Sequence, residues 1–358
     1  MMSLQRIKLS RPVKRGIALL FLFSFFGIGI LVATAGGADS LEAFSALKPV
    51  YILACLVLVA LDLYLGALRN HIFVRKIKPG TGFSLSFRAN VANMFMGAIT
   101  PSQGLGGPAQ LAVLKIGGIP IGAAVSVSVL NFIGTILFFG AGVFAALILF
   151  QSWIVSDTII SILWGCAGLF FLALLMLTAA LTKPSLLKKL FRVLAAVARR
   201  FFRIDSERLA GYEKIFAKKV DDYHEWCLKF LVRYPGIVII SIILTVLLYL
   251  NKFTIFWLVA RGMGLEASWG SMFASLYLLT FISYFAPSPG AGGVAEIATG
   301  ILLAPMIPGG YLPLFTLLGR MFILFIPAGV GFAAVIGTLK KDSGFLNTLQ
   351  KEKKTGKT

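Results

Sequence analysis

"ITPSQGLGGPAQ" runs from Ile99 to Gln110, and "FAPSPGAGGVAE" runs from Phe285 to Glu296. With Pro101 set on Pro287, 186 positions further on, six of the ten residues that follow in register agree: Pro101/Pro287, Ser102/Ser288, Gly104/Gly290, Gly106/Gly292, Gly107/Gly293 and Ala109/Ala295. A run of proline, serine and glycine interrupts any helix that contains it. Each copy nevertheless sits in the middle of an apolar stretch, so the reading of these two interrupted stretches decides the fold.

The composition says what surrounds them. With 58% hydrophobic residues, 13% charged residues and a mean hydropathy of +0.90, the 358-residue chain lacks the polar surface of a soluble globule. Apolar runs long enough to cross a bilayer recur along it, and they are continuous rather than alternating, which indicates an all-α polytopic membrane protein rather than a barrel. The net charge of +20 raises nucleic acid as a partner. The basic residues cluster beside apolar runs, however, and membrane topology accounts for them better.

Six full-length spans are expected: 16–35, 47–68, 119–150, 158–181, 237–263 and 311–339. The N-terminal segment (Arg6, Lys8, Arg11, Lys14, Arg15), the 69–78 loop, the 183–234 loop and the tail after Leu339 hold 28 of the 34 lysines and arginines. Those segments should be cytoplasmic. The other side receives Asp39, Glu42, Asp157 and Glu266 with only Lys48 and Arg261, so both termini are expected inside. Basic residues, an apolar run and "VATAGG" at the N-terminus also resemble a secretory signal. The run is longer than a signal core, and an uncleaved first span is expected.

Two apolar segments remain, 83–118 and 269–305, one motif copy in each. Each must return to the side it came from, so both read as re-entrant hairpins of two short helices that open on opposite faces of the membrane. The same 186-residue offset lays the 47–68 span over 237–263 and the 119–150 span over the last one. The expected architecture is therefore an inverted-topology repeat with six full spans and two re-entrant helical hairpins, eight to ten membrane helices in all. Its parts are a basic N-terminus (1–15), repeat 1 (16–150, hairpin 83–118), repeat 2 (158–339, cytoplasmic insertion 183–234, hairpin 269–305) and a basic tail (340–358).

Non-helical backbone at membrane depth is tolerable only inside protein or against a water-filled cavity. A turn with three glycines presents amide N–H groups with no side chains over them, and the helix that follows adds unpaired N–H groups at a positive dipole end. Such a surface suits an anionic group. Ser102, Gly104, Gly106, Gly107, Ser288, Gly290, Gly292 and Gly293 are thus candidate substrate-binding residues. The alternative is that the glycines only let helices pack closely, as small residues do in membranes.

The layout, with "ANMFMGAITPSQGLGGPAQLAVLKIGGI" in the first half and "SYFAPSPGAGGVAEIATGIL" in the second, resembles the lysylphosphatidylglycerol synthase transmembrane (flippase-like) family. The resemblance covers about residues 10–340 and is most specific in the Pro-x-Pro-Gly-x-Gly-Gly-x-x-Glu run ending at Glu296. It implies a membrane unit that moves aminoacylated phosphatidylglycerol between leaflets, ahead of a soluble domain that makes the lipid. Only 19 residues follow Leu339 in this sequence, so the membrane unit alone is expected. Many relatives carry an acidic residue just after the first Gly-Gly; this chain has Pro108 there, while Gln110 stands where the second copy has Glu296.

Charged and amide residues at membrane depth complete the candidate list. Glu296 follows two glycines at a helix start, where a carboxylate either caps free N–H groups or serves a ligand amine or a proton. Arg320 lies mid-span, too deep to snorkel, and Glu296 is its candidate partner; the pair is either structural glue or a phosphate-holding unit. Gln110 joins the list as the counterpart of Glu296. Arg88, Asn90, Asn93, Asn131 and Lys252 are secondary candidates, with Asn251 beside Lys252. Asp62 is expected to pair locally with Arg69.

Catalytic and metal chemistry have no foothold in this pattern. The two histidines, His71 and His224, are isolated, the three cysteines have neither disulfide nor zinc spacing, and no P-loop occurs. No enzymatic activity, metal or cofactor is expected. In "PSLLKKLFRVLAAVARRFFRI" (184–204), Leu186, Leu187, Leu190, Leu194, Val197 and Phe201 recur at three- and four-residue steps among Lys188, Lys189, Arg192, Arg199 and Arg200. This basic amphipathic helix should lie on the anionic inner leaflet. The main functional expectation is a lipid translocator of the plasma membrane for an anionic or aminoacylated phospholipid or a related envelope lipid. The alternatives are a secondary transporter of a small organic solute, and a non-catalytic membrane subunit of an envelope lipid or glycan assembly system. Membrane phospholipid, a second copy of the chain or a lipid-synthesising enzyme are the candidate partners, with no role for nucleic acid.

Overall fold

The structure, a computed structural model, describes residues 11–35, 44–149, 157–202 and 206–337. The expected basic N-terminal residues before Arg11, Asp39, Glu42 and the tail 340–358 lie outside the described residues, as do the side chains of Asp157, Arg199 and Arg200. Every named regular element among the described residues is helical, in keeping with the all-α reading.

In chain order the α-helices are α1 (Arg11–Ala35), α2 (Pro49–Ile77), α3 (Phe83–Ala98), α4 (Gly106–Ile116), α5 (Ile121–Leu149), α6 (Asp157–Thr182), α7 (Pro184–Phe202), α8 (Ser206–Leu228), α9 (Pro235–Gly262), α10 (Trp269–Tyr284) and α11 (Val294–Leu303). The final helix, α12 (Gly309–Gly337), is composite. It opens with a 3-10 turn, runs α-helical over Leu312–Arg320, widens to a π turn over Met321–Phe325 and is α-helical again over 326–337.

Local chemistry sets several of these boundaries. Proline, whose missing N–H costs nothing at a first helical position, opens α2, α7 and α9. At the ends of α4 and α9 the chain turns through left-handed glycines, Gly118 (φ 81°) and Gly264 (φ 78°). There Ile119 N–H bonds Leu114 O and Gly118 N–H bonds Lys115 O, while Leu265 N–H bonds Ala260 O and Gly264 N–H bonds Arg261 O. This paired pattern satisfies the last free carbonyls and needs a residue without a Cβ penalty at the turn.

Five described helices are long and apolar enough to cross a membrane: Arg11–Thr34, Pro49–Ile77, Ile121–Gly142, Pro235–Gly262 and Gly309–Gly337. They coincide with five of the six expected spans. The expected sixth, 158–181, is helical as α6, but Phe170–Ala179 reaches the same length and apolarity only together with Pro184–Ala195, across a bend of 101°.

The described helices fall into two compact units. The first takes in Met1–Ala67, Phe87–Val113 and Asn251–Thr358. Part of its core is Leu20 of α1, Phe95 and Ala98 of α3, Ile99 and Ala328, with Ile17, Leu324, Phe325 and Phe332 around them. Phe21 stacks on Phe325 at 5.4 Å. The second unit takes in Leu68–Ser86 and Leu114–Leu250. Phe73, Val127, Leu130, Phe230 and Val238 are packed in its core, with Phe73 edge-on to Phe230 at 5.0 Å. A buried amide chain runs beside them: Asn131 Nδ2 donates to Asn70 Oδ1 at 2.7 Å, and Ser241 Oγ donates to Asn131 Oδ1 at 2.8 Å. Fully paired polar groups of this kind fix helix register where no water competes.

Candidate functional site

Both motif copies belong to the first compact unit. Each sits at the tip of a helical hairpin. In the second hairpin α10 packs on α11. In the first, Asn93 Nδ2 of α3 donates to Gln110 Oε1 of α4 at 3.0 Å. A Cβ on Gly106 would come within 2.7 Å of Asn93 Oδ1, so that glycine is what permits the approach.

The tips are built alike at the helix entry. Gly106 N–H bonds Gln103 O and Ala109 N–H bonds Leu105 O; in the second copy Gly292 N–H bonds Pro289 O and Ala295 N–H bonds Ala291 O. These bonds keep the register of the aligned sequences. The left-handed residues do not. They are Ser102 (φ 49°) and Gln103 (φ 56°) in the first tip, but Gly290 (φ 57°), Ala291 (φ 57°) and Gly293 (φ 83°) in the second. Glycine takes two of the three positive-φ positions in the second tip and none in the first.

The two tips meet. Pro101 and Pro289 form an antiparallel backbone bridge, and Ser102 Oγ donates to Ala286 O at 3.3 Å. Ser288 instead closes its own turn, donating from Oγ to Gly292 O at 2.6 Å. Around this contact the tips differ in cover. Ser102, Gln103, Gly104 and Leu105 are exposed, and a Cβ on Gly107 would meet nothing. In the second tip a Cβ on Gly290 would strike Leu20 and Leu324, and one on Gly292 would strike Phe23 and the Ser24 backbone. The close-packing role therefore describes Gly106, Gly290 and Gly292, whereas Gly104 is exposed and Gly107 and its counterpart Gly293 have open space where a Cβ would stand.

Beneath the second tip lies the ion pair. Arg320 Nε is 3.1 Å from Glu296 Oε1, with the arginine 8% and the glutamate 0% exposed. These two atoms are off the hydrogen-bonding direction and make no hydrogen bond to each other. The rest of the guanidinium is directed elsewhere: Nη1 donates to Gly290 O at 2.8 Å and Nη2 to Ser24 Oγ at 2.9 Å. Glu296 Oε2 accepts the Gly293 N–H at 2.7 Å, a capping-box bond at the start of α11. One carboxylate oxygen thus caps the helix while the other faces the arginine, so capping and pairing coexist. Arg320 is the last residue before the π turn of α12, a widened backbone that recurs at functional sites.

Charge burial on this scale is expensive when unpaired and tolerable when several bonds share it. The four groups that share it here come from α1, the second tip, α11 and α12. Ser24 was not among the candidates read from sequence, nor was Gly27, where a Cβ would fall within 3.0 Å of the Glu296 side chain. Ser24 is the single polar residue in the apolar run from Gly16 to Ala33, and that isolation was its signal.

The remaining candidates lie away from the pair. Asn90 Nδ2 donates to Leu63 O at 3.4 Å and to Met94 Sδ at 3.7 Å. Arg88 is half-buried on α3, and Asn131 belongs to the amide chain of the other unit. Lys252 is in a second buried ion pair, its Nζ 2.8 Å from Asp62 Oδ2, with Asn251 Nδ2 donating to Leu58 O at 2.9 Å. This corrects the expected Asp62–Arg69 pair. Seven residues place Asp62 and Arg69 about 10 Å apart along a helix, beyond side-chain contact, and Arg69 donates to Thr245 Oγ1 at 3.0 Å instead.

No group of three or more His, Cys, Asp or Glu residues able to hold a metal occurs among the described residues. Comparison with known proteins bears on the whole chain. It is 23% identical over 331 residues to a "UPF0104 membrane protein" of Archaeoglobus fulgidus, a match covering 90% of this chain and 99% of that one. Residues 15–331 match the family described as "Lysylphosphatidylglycerol synthase TM region", which takes in both hairpins, the Glu296–Arg320 pair and all but the end of the last span. With five described helices long and apolar enough to cross a membrane, the chain is a multi-pass membrane protein and belongs to the lysylphosphatidylglycerol synthase transmembrane-region family.

Proposed function

We propose that the protein is a non-enzymatic lipid translocator, moving an anionic or aminoacylated phospholipid, or a related envelope lipid, between the leaflets of the cell membrane. The observation that carries this reading is the meeting of the two motif tips above a buried arginine. The tips touch at Pro101 and Pro289, and Arg320 holds the second tip by the Gly290 carbonyl. Two re-entrant hairpins arriving from opposite faces, in an inverted repeat with both termini cytoplasmic, would make such a contact the barrier between the two sides.

The chemistry suits a phosphodiester. A guanidinium offers a planar fork of donors to phosphate, and the Nε of Arg320 lacks an aligned acceptor. The open backbone at Gly107 adds an N–H donor at the start of α4. A headgroup phosphate entering beside the tips would compete with Glu296 and the Gly290 carbonyl for Arg320. Release of that carbonyl frees the second tip to part from the first, while the acyl chains stay in the bilayer. An aminoacyl headgroup carries the complementary cation, for which Glu296 is the nearby carboxylate.

A second reading, a secondary transporter of a small organic solute, draws on the Asp62–Lys252 pair, since ion pairs buried at membrane depth are a common seat of coupling-ion chemistry. Reconstitution into liposomes separates the two. Labelled phospholipids of different headgroups are followed for leaflet exchange, and entrapped or external organic solutes for uptake, in the same preparation. Exchange of phospholipid without solute uptake supports the translocator; solute uptake without lipid exchange replaces it. Orientation is tested in parallel: a cysteine placed at Gly309 should react with an impermeant thiol reagent from outside, and one at Ser206 should not.

A further inference from the structure

The segment between α6 and α9 folds as a helical hairpin, α7 against α8, and the two faces of α7 differ. Toward α8, Phe191 stacks on Phe216 at 4.2 Å, Lys188 pairs with Asp221 at 2.6 Å and Arg192 pairs with Glu213 at 3.2 Å. On α8 itself, Val220, Tyr223 and Cys227 are buried, and a Cβ on Gly122 of α5 would strike Asp222 and Tyr223. The hairpin is thus seated on a membrane-crossing helix through α8, leaving α7 outermost.

The other side of α7 carries Leu186, Leu190, Val193 and Leu194, which are 46%, 53%, 53% and 58% exposed. Lys183 and Lys189 are exposed beside this row and have no side-chain partner among the described residues. An apolar row with unpaired lysines at its edge is the pattern of a helix that lies in a lipid interface. We infer that this face of α7 docks on the anionic lipid surface of the same membrane, anchoring the α7–α8 hairpin at the interface.

Three features favour lipid over a protein partner. The bend of 101° between Phe170–Ala179 and Pro184–Ala195 turns α7 across the direction of the apolar helix before it, with a single residue between α6 and α7. Any bilayer containing α6 therefore begins where α7 starts. Pro235 then opens another membrane-crossing helix directly after the hairpin, so both ends of the insertion are held at one boundary. Finally, the acidic residues Asp221 and Glu213 neutralise Lys188 and Arg192 of α7, and the unpaired lysines, Lys183 and Lys189, lie beside its apolar row. The expected basic face is thereby divided: Lys188 and Arg192 belong to the hairpin, and Lys183 and Lys189 to the membrane.

The test uses the full chain with Cys55, Cys166 and Cys227 replaced and one nitroxide at a time on Leu190→Cys, Val193→Cys or Lys189→Cys. The protein is placed in nanodiscs of phosphatidylcholine alone or with phosphatidylglycerol. The 190 and 193 labels should be several-fold more accessible to oxygen relative to a water-soluble nickel relaxant than the 189 label, and should move deeper when phosphatidylglycerol is present. Water accessibility at 190 and 193 equal to that at 189 overturns the inference. Protection from both relaxants overturns it in favour of a protein partner, and equal depth in the two lipid compositions overturns the anionic assignment. None of these readings depends on lipid exchange, so the anchor and the translocator stand or fall separately.

Discussion

The Arg320 side chain donates to the Gly290 carbonyl at 2.8 Å, tying the middle of the last span to the tip of the second hairpin. Gly290 is left-handed, lies next to Pro289 and has Leu20 and Leu324 where a Cβ would be. The motif backbone and the buried charge are therefore one mechanical element, and a change at either end should be felt at the other.

Breaking that element at one end should be costly. Arg320→Leu leaves Glu296 uncompensated and Glu296→Gln leaves the guanidinium with its two neutral acceptors, so each single variant should lose about 3–5 kcal/mol of stability. The double variant should recover most of the loss, because no lone charge remains. Thermal unfolding of the four proteins in one detergent gives the coupling, and strict additivity would dissolve the pair as a unit.

The tip contact can be locked. Antiparallel bridge partners have Cα atoms about 4.5–5.5 Å apart, within disulfide range. Pro101→Cys with Pro289→Cys should therefore cross-link under mild oxidation, in a background without the native cysteines. If the tips separate during exchange, the oxidised protein is inactive and a reductant restores it. Full activity in the fully cross-linked protein would remove tip opening from the account.

The glycines of the two motifs should separate by phenotype. Gly290→Ala places a Cβ 2.6 Å from Leu20 Cδ1 in a left-handed conformation, so folding should suffer. Gly107→Ala meets open space and should leave thermal stability nearly unchanged while lowering lipid exchange, if the first tip offers its backbone to the headgroup. A Gly107→Ala protein as active as the parent would confine that motif to a packing role.

The sequence revealed these two hairpins because proline and glycine are rare inside apolar runs, and paired Glu296 with Arg320 because a lone charge at membrane depth requires a partner. It did not reveal Ser24 as the third member, since that contact joins residues 296 positions apart and rests only on where α1 packs. Asp62 was assigned to the wrong cation for the same reason: Arg69 is near in sequence, while Lys252 is near in space. The aligned Gly104 and Gly290 looked equivalent, yet Leu20 and Leu324 close over Gly290 while Gly104 stays exposed, a difference no pattern of letters encodes.

Outside the membrane helices, burial pushes the Cys227 thiol up to about 12, with the Tyr223 hydroxyl also raised beside it. A thiol reagent acts on the thiolate, so Cys227 should stay unmodified at pH 8 in the folded protein and react on denaturation. Because the folded thiol holds its proton above its ordinary range, its contribution to stability is intact below about pH 8.5 and falls as pH rises toward 12. Rapid labelling of the native protein, read by mass spectrometry, would contradict the packing of α8 on α5.

The central claim is tested most directly by leaflet exchange in liposomes carrying the parent protein or the Glu296→Gln, Arg320→Leu double variant, each shown to be folded by thermal unfolding. The account predicts that the parent equilibrates a labelled anionic or aminoacylated phospholipid between leaflets much faster than protein-free liposomes do. The folded double variant should match the protein-free rate. Exchange by the double variant equal to that of the parent, or no exchange by the parent for any phospholipid tried, would contradict it.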